Sequence, residues 1–255
     1  MKQLTFFGLL AAALFAVAAS LPARAETFVG SNVDSRVVVG LKADGAAVQA
    51  WMPDGWTSVP FPGGALKGAN LIAVLIDRAV DLDADGKPLS PSSLRAAAVA
   101  GLGKQTDGDA VRLYLFRIYT TVPERDPYGV AMASDISRTT TESGPANGGR
   151  TKTDSWTIAP AGGGELNFSM TYTTGARSFT PGEAFPHSAA NPDFLRIYRY
   201  DQMVDLVMST AVGKPIGGEF SLSGTVPEQA GMLDGGQDTV AILDVPVYVR
   251  EVSLP

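Results

Sequence analysis

The sequence predicts a mainly β protein (α+β class) with a single mixed, mostly antiparallel sheet and a few short helices. Its apolar residues recur mostly at every second position and not at helical spacing. Clusters of Gly, Pro, Asn and Asp, such as residues 145–149 and 161–164, separate these runs and are typical of turns. No fixed-period repeat or low-complexity linker divides residues 26–255, so we expect one globular domain.

The first element is a predicted signal peptide over residues 1–25. Lys2 gives a positive start, residues 6–19 form an apolar run, and the small residues Ala23 and Ala25 suit a peptidase site. We expect cleavage between Ala25 and Glu26 and export to the periplasm or the external medium. A retained anchor is the alternative, but a helix that spans a bilayer needs about 20 apolar residues. No membrane span is expected in residues 26–255.

Composition excludes several classes of function. Without Lys2 and Arg24, 18 Lys and Arg residues stand against 26 Asp and Glu residues, which gives a formal charge of −8. A chain this acidic, without clustered basic residues, lacks the charge pattern of a nucleic-acid-binding protein. It has no cysteine and one histidine, His187, so disulfides and thiolate sites are excluded and most zinc sites are disfavoured. We predict no metal and no cofactor.

The strands are predicted from runs rich in β-branched and aromatic residues. In the clearest run, Leu166, Phe168, Met170 and Tyr172 alternate with polar residues, as in a strand with one face in the core. The predicted strands are residues 36–41, 70–77, 111–121, 155–158, 165–173, 194–200 and 239–249.

Two short helices are predicted among these strands. One covers residues 44–52 and ends at Pro53, and the other covers residues 91–102, with Ser90 or Ser92 as its N-cap. The polar, Gly-rich residues 139–152 predict a long hairpin loop.

One stretch resembles the N-terminal part of the acetoacetate decarboxylase-like superfamily. Residues 36–41 form a strand, residues 47–50 a short helix, residues 51–56 (Trp-Met-Pro-Asp-Gly-Trp) a hydrophobe-Pro-x-Gly-hydrophobe turn, and residues 70–77 a returning strand. A second likeness is the long strand from Tyr114, followed by residues 123–130, where family members have a functional loop. The resemblance implies a cone-like β-barrel around an apolar cavity.

The resemblance also implies what the chemistry would need. The family's decarboxylases form a Schiff base between a lysine and a β-keto acid, with a second lysine beside the first to lower its pKa. No two lysines of residues 26–255 are adjacent in sequence. The fold is therefore expected either without this chemistry or with an unpaired lysine, for which Lys104 and Lys67 are the candidates.

We consequently expect a protein that binds a small apolar or amphipathic ligand, hydrophobic or carboxylate, without covalent chemistry. The alternatives are an acetoacetate decarboxylase-like lyase and a structural or interaction protein of the cell envelope. An inward-facing arginine suits a carboxylate, and tryptophans suit an apolar pocket, although arginines also keep sheet surfaces soluble and tryptophans also fill cores. The predicted ligand-binding residues are Arg36, Trp51, Trp56, Arg117, Arg196 and Arg199.

Two further motifs have a functional and a structural interpretation. Asp81, Asp83 and Asp85 alternate before a glycine, as at the start of a calcium loop, but the twelfth position is Ser92 and not Glu. A polar hairpin turn is the alternative. His187 lies in a Pro-rich loop, and no Gly-x-Ser-x-Gly motif supplies a serine nucleophile, so a hydrogen-bonded or surface loop histidine is expected.

Overall fold

The computed structural model describes residues 25–255. Apart from Ala25, the predicted signal peptide lies outside these residues. Within them, no helix combines the length and the apolarity that crossing a bilayer requires.

Strands make up most of the described chain, and they join in one sheet. The strands are β1 (Thr27–Lys42), β2 (Trp56–Val59), β3 (Leu71–Asp83), β4 (Leu94–Gln105), β5 (Val111–Thr120), β6 (Ala131–Ser143), β7 (Thr151–Pro160), β8 (Leu166–Thr173), β9 (Arg177–Ala184), β10 (Pro186–Ser188), β11 (Ile197–Ser209), β12 (Gly218–Gly224) and β13 (Asp238–Leu254). The helix is α1 (Gly45–Gln49), and 3-10 turns cover Gly64–Leu66, Pro123–Arg125, Thr210–Val212 and Pro227–Gln229.

The strand order is β12-β8-β7-β6-β5-β4-β3-β1-β13-β11-β9, with β2 on β4 and β10 on β5. Neighbours are antiparallel except β5–β6 and β10–β5, so the predicted mixed and mostly antiparallel sheet is confirmed. The short parallel pair β5–β6 joins two antiparallel groups of strands, β6-β7-β8-β12 and β5-β4-β3-β1-β13-β11-β9.

The sheet is not closed, so the expected barrel is wrong. Its order runs from β12 at one end to β9 at the other, and these strands do not pair with each other. Pro181 in β9 has no N–H for a ladder, and strands that contain proline are suited to edges. At the other end, the chain near Leu233 crowds β12, because a Cβ on Gly224 would lie 2.0 Å from the Leu233 carbonyl oxygen.

All seven predicted strands exist, most with longer bounds than the sequence indicates. The helix predicted over residues 44–52 forms as the shorter α1, and the Asp44 side chain accepts a hydrogen bond from the Ala47 N–H at 2.8 Å. The helix predicted over residues 91–102 is wrong, because this stretch enters β4 between β3 and β5. Its alanines are buried on successive positions, where both faces of the strand are covered and only small side chains fit.

The core lies between the two groups of strands. In β8, Leu166, Phe168, Met170 and Tyr172 are buried while their neighbours are more exposed, which confirms the predicted alternation. Trp156 of β7 packs in the same core as residues of β1, β3 and β13. The predicted loop over residues 139–152 is a hairpin, but β6 and β7 extend into it and leave residues 144–150 as the loop.

Candidate functional site

Charged side chains from three adjacent strands and one loop meet in a buried group that we call the arginine cluster. In the sheet, β1 lies between β3 and β13. The register places Asp34 opposite Arg78, and Asn32 opposite both Asp81 and Arg250. Members of the arginine cluster are Asp34, Arg36, Arg78, Asp81, Arg125 and Arg250, of which Arg125 comes from the 3-10 turn after β5.

Two carboxylates connect the guanidinium groups of the cluster. Arg36 Nε donates to Asp34 Oδ2 at 3.1 Å, and its Nη2 contacts the same oxygen. Arg78 donates from Nε to Asp34 Oδ1 at 2.8 Å and from Nη1 to Asp81 Oδ2 at 3.0 Å. Arg125 Nη1 lies 3.6 Å from Asp81 Oδ2, which is an ion-pair distance but too long for a hydrogen bond. Each carboxylate therefore lies between two arginines.

Asp34 is ionised despite its burial. Its side chain has no exposed surface, and burial alone would raise the pKa of this carboxyl. The charges of Arg36, Arg78 and Arg250 outweigh burial and hold the pKa below its ordinary value. The carboxylate is therefore negatively charged at neutral pH.

Arg250 is buried among neutral partners. When the Asn32 amide is oriented with its oxygen toward the guanidinium, Arg250 donates to it from Nη2 at 2.9 Å and from Nε at 3.3 Å. The guanidinium carbon also lies 3.9 Å from the centroid of the Tyr198 ring. Burial lowers the pKa of Arg250, but an arginine side chain stays charged at neutral pH. No carboxylate contacts this charge in the described part of the chain.

Donors without partners lie in and beside the cluster. Arg125 Nη1 and Nη2 and Arg196 Nε are buried and make no hydrogen bond within residues 25–255. The hydroxyls of Tyr128 and Tyr198 lie 2.5 Å apart. Burial raises the pKa of Tyr128, and the charges of Arg250 and Arg196 partly oppose that rise. Arg196 lies two residues before Tyr198, directly ahead of β11.

Two of the predicted ligand-binding residues, Arg36 and Arg196, lie in or beside the arginine cluster. Arg199 does not, because it lies on the surface and pairs with Glu26 and, at 2.9 Å, with Glu183. The prediction omitted Asp34, Arg78, Asp81, Arg125 and Arg250, which the strand register and the loop after β5 bring together.

Arg117 is paired within the protein. Its Nε and Nη2 donate to the two oxygens of Glu228 at 2.9 and 2.6 Å, so both arms of its planar fork are engaged. Tyr119 donates to Glu228 Oε1 at 2.7 Å, and burial together with this carboxylate raises the pKa of Tyr119. The Arg117 guanidinium carbon lies 5.2 Å from the Trp51 ring centroid.

The predicted tryptophans contribute to packing. Trp51 lies against Phe116 with ring centroids 6.3 Å apart, and Trp56 meets Tyr114 edge-on at 5.1 Å. The guanidinium carbon of Arg112 lies 4.7 Å from the Trp56 ring centroid. Both tryptophans are partly buried and pack against the core.

The spaces in and around the core differ in size. A cavity among core residues of β1, β3, β4 and β8 has a volume of about 20 Å³, which is too small for an organic ligand. An open groove of about 600 Å³ lies along β8 and β12, where Met170 and Phe220 line it together with polar residues such as Ser169.

The lysines are not arranged for Schiff-base chemistry. Lys67 and Lys104 are exposed, so neither is desolvated in the way that makes a lysine nucleophilic. Lys152 is the buried lysine of residues 25–255, and its Nζ donates to both oxygens of Asp244 at 2.8 and 2.7 Å. Tyr172 donates to Asp244 Oδ2 at 2.7 Å. An ammonium held by a carboxylate has no lone pair for attack on a carbonyl.

The three aspartates of the predicted turn have separate roles. Asp81 belongs to the arginine cluster, whereas Asp83 Oδ1 accepts hydrogen bonds at 2.9 Å from the N–H groups of Asp85 and Lys87. Asp85 pairs with Lys87 at 3.4 Å on the surface. No group of at least three His, Asp or Glu residues suited to a metal occurs in residues 25–255. The arrangement is that of a hairpin turn after β3.

His187 is buried in β10 and packs near Tyr114. Its Nδ1 lies 3.0 Å from the Pro192 carbonyl oxygen, to which a protonated Nδ1 donates. Burial lowers the pKa of His187, and the Pro192 carbonyl partly opposes this. It is a hydrogen-bonded residue, as expected, although it lies in a short strand.

Solved structures share this fold at low sequence identity. The enduracididine biosynthesis enzyme MppR complexed with pyruvate is 13% identical with a TM-score of 0.54, and the match covers 88% of each chain. An acetoacetate decarboxylase-like enzyme from Sphingomonas wittichii RW1 is 12% identical with a TM-score of 0.55, over 90% of this chain and 93% of the other. No family model and no curated protein matches the sequence.

Both of these structures are of enzymes. Similarity at this level of identity establishes architecture and not activity. It does confirm the fold that the N-terminal resemblance implies, with an open sheet in place of the expected barrel. This chain therefore has the acetoacetate decarboxylase-like fold.

Proposed function

We propose that this protein binds a small carboxylic acid at the arginine cluster. The observation that carries the proposal is the surplus of buried positive charge. Three guanidinium groups share the carboxylates of Asp34 and Asp81, and the fourth, Arg250, contacts neither. A buried charge without a partner costs several kcal/mol, so a counter-anion there would stabilise the folded protein. A carboxylate is the anion that matches the planar guanidinium fork.

Accessibility and the unpaired donors support a small ligand at this place. The side chains of Arg36 and Arg125 are 10% and 18% exposed, so the cluster lies close to the surface, although the two terminal nitrogens of Arg125 are buried. The Nη1 and Nη2 amino groups of Arg125 make no hydrogen bond within residues 25–255. One structure of the same fold is a complex with pyruvate, and pyruvate is therefore a suitable first probe.

A thermal-shift titration of the purified protein with pyruvate and acetoacetate tests this proposal. We expect both acids at millimolar concentration to raise the Tm, because a ligand that binds only the folded state stabilises it. The effect should be lost in Arg125→Gln and kept in Arg199→Gln, which alters a surface arginine. The absence of a shift with either acid, or equal shifts in Arg125→Gln and the unaltered protein, would refute the proposal.

A lyase that acts on the bound acid is the second candidate, favoured by the enzymes that share the fold. A Schiff base requires a neutral amine to attack the carbonyl with loss of water, and Lys152 is the buried amine in the described residues. Borohydride reduction in the presence of acetoacetate, followed by peptide mass spectrometry, separates the candidates. A reduced adduct on Lys152 would establish the lyase, whereas an unmodified protein supports binding without covalent chemistry.

We also propose that the protein is exported across a membrane. The charged start, apolar run and small residues before Glu26 are those of a secretory signal. N-terminal sequencing of the protein from a bacterial host that exports it should find Glu26 as the first residue. Recovery of the chain in the cytoplasm with residues 1–25 intact would contradict export.

A further inference from the structure

The ligand's charge can be inferred from the groups around the arginine cluster, on the basis of the function proposed above. The cluster has four guanidinium groups, and Arg196, two residues before Tyr198, adds a fifth. The carboxylates that contact guanidinium groups of this set are those of Asp34 and Asp81. A single carboxylate ligand would still leave two positive charges in excess among these groups.

The unsatisfied donors belong to two different arginines. Both NH2 groups of Arg125 and the Nε–H of Arg196 are buried and make no hydrogen bond within residues 25–255. Arg125 and Tyr128 belong to the same loop after β5, whereas Arg196 directly precedes β11, which carries Tyr198. The hydroxyl contact between Tyr128 and Tyr198 at 2.5 Å connects these two segments. The donors therefore belong to the two segments that this contact joins.

The tyrosine pair adds one further donor. Each hydroxyl has one hydrogen, and the contact between Tyr128 and Tyr198 uses one of the two. The hydrogen of the accepting hydroxyl remains for another acceptor. A ligand near this pair thus meets a neutral donor in addition to the guanidinium groups.

From this arrangement we infer that the ligand is a dianion of the dicarboxylate class, with one carboxylate at Arg125 and the other at Arg196. Two carboxylates would reduce the excess positive charge to one, and Arg250, with its neutral partners, accounts for that remainder. Charge-assisted hydrogen bonds to both ends would select a dianion over a monoanion of the same shape.

The matched pair of succinate and monomethyl succinate tests this inference, because the two have the same skeleton and differ by one negative charge. Calorimetric titration of the purified protein should show succinate binding about tenfold more tightly, or better, since its second carboxylate gains charged hydrogen bonds. Malonate and glutarate, measured in the same way, vary the distance between the carboxylates. Raising the salt concentration should weaken succinate binding more than binding of the monoester.

Variants separate the two ends of the ligand. In Arg196→Gln the affinity for succinate should fall to about that for monomethyl succinate, while the affinity for the monoester stays unchanged. Arg196→Lys, which keeps the charge, should retain part of the preference and serves if Arg196→Gln does not fold. Arg199→Gln is the surface control and should leave the preference unchanged.

The outcomes distinguish this inference from the proposed function. Equal binding of succinate and its monoester, or an unchanged preference in Arg196→Gln, would overturn the dianion while leaving carboxylate binding intact. Failure of pyruvate, acetoacetate and all of the dicarboxylates to bind would overturn both.

Discussion

At the scale of single residues, Asp34 is the centre of the arginine cluster. It accepts from Arg36 and Arg78 and has no exposed side-chain surface. Burying a carboxylate costs free energy, and the ion pairs with its partners offset that cost. Loss of one member of such a group is therefore strongly destabilising. Removing its charge leaves two buried guanidinium groups with a weaker acceptor.

The substitution Asp34→Asn tests this dependence. The amide has nearly the same shape, so packing is kept while the charge is lost, and we expect the free energy of unfolding to fall by about 3–5 kcal/mol. Denaturant titration measures the change. Asp85→Asn is the matched control, because Asp85 is 75% exposed and its removal should change stability by less than about 0.5 kcal/mol. Similar losses in the two variants would show that the buried ion pairs contribute no more than a surface pair.

His187 makes stability depend on pH in a known direction. Its pKa in the folded protein is lowered by burial from the ordinary value of 6.5, so the unfolded chain binds a proton first as the pH falls. The neutral imidazole's contribution is fully present above pH 6.5 and is lost progressively below it. When the pH is lowered from 7.5 to 5.5, the free energy of unfolding should therefore fall further in the unaltered protein than in the His187→Gln variant, as measured by denaturant titration at each pH. Parallel pH profiles for the two proteins would contradict this.

At the scale of elements, the segment Pro227–Gln229 is attached to β5 by side chains. Glu228 accepts from Arg117 and Tyr119, and the Gln229 carbonyl accepts from the N–H groups of Met232 and Leu233 at 2.9 Å. Met232 and Leu233 are buried in the core. The Glu228 contacts thus hold a non-sheet segment over the core.

Glu228→Gln should loosen this segment. The amide keeps the size but cannot accept a bidentate pair from Arg117, which we expect to cost about 1–3 kcal/mol. Hydrogen exchange of the amides of Met232 and Leu233 should become faster, while exchange at Phe168 in β8 changes less. Glu219→Gln, an exposed residue of β12, is the control. Uniform acceleration across the chain would instead indicate global destabilisation without local release.

The strands could be predicted because the alternation of apolar and polar residues lies within one segment. The arginine cluster could not be predicted, because it depends on how separate strands pair. Alternation over Leu166–Tyr172 is a property of one segment, and it was sufficient to identify β8. Residues 91–102 are predicted as a helix with Ser90 or Ser92 as its N-cap, whereas β3 and β5 on either side impose a strand. Arg78 and Arg250 meet only through the register of β1 with its two neighbours, which sequence patterns do not give. Charged residues inside otherwise apolar strand runs, such as Asp77-Arg78, were the available signal.

At the scale of the whole molecule, a buried ion pair connects the two groups of strands across the core. Lys152 belongs to β7 and Asp244 to β13, which are far apart in the strand order. Lys152 Nζ contacts both oxygens of Asp244, and Tyr172 of β8 donates to the same carboxylate. Because the sheet is open, contacts across the core such as this one keep its two groups of strands together.

The ion pair can be tested by removing one partner and then both. Lys152→Met leaves Asp244 buried with Tyr172 as its remaining side-chain donor, so we expect a loss of about 3–5 kcal/mol in the free energy of unfolding. In Lys152→Met with Asp244→Leu no buried charge is left unpaired, and most of that loss should be recovered because two apolar side chains can pack in its place. Denaturant unfolding of the single and double variants measures both steps. If the double variant is no more stable than Lys152→Met, the unpaired carboxylate is not the source of the loss, and the pair acts through its geometry by fixing β7 against β13.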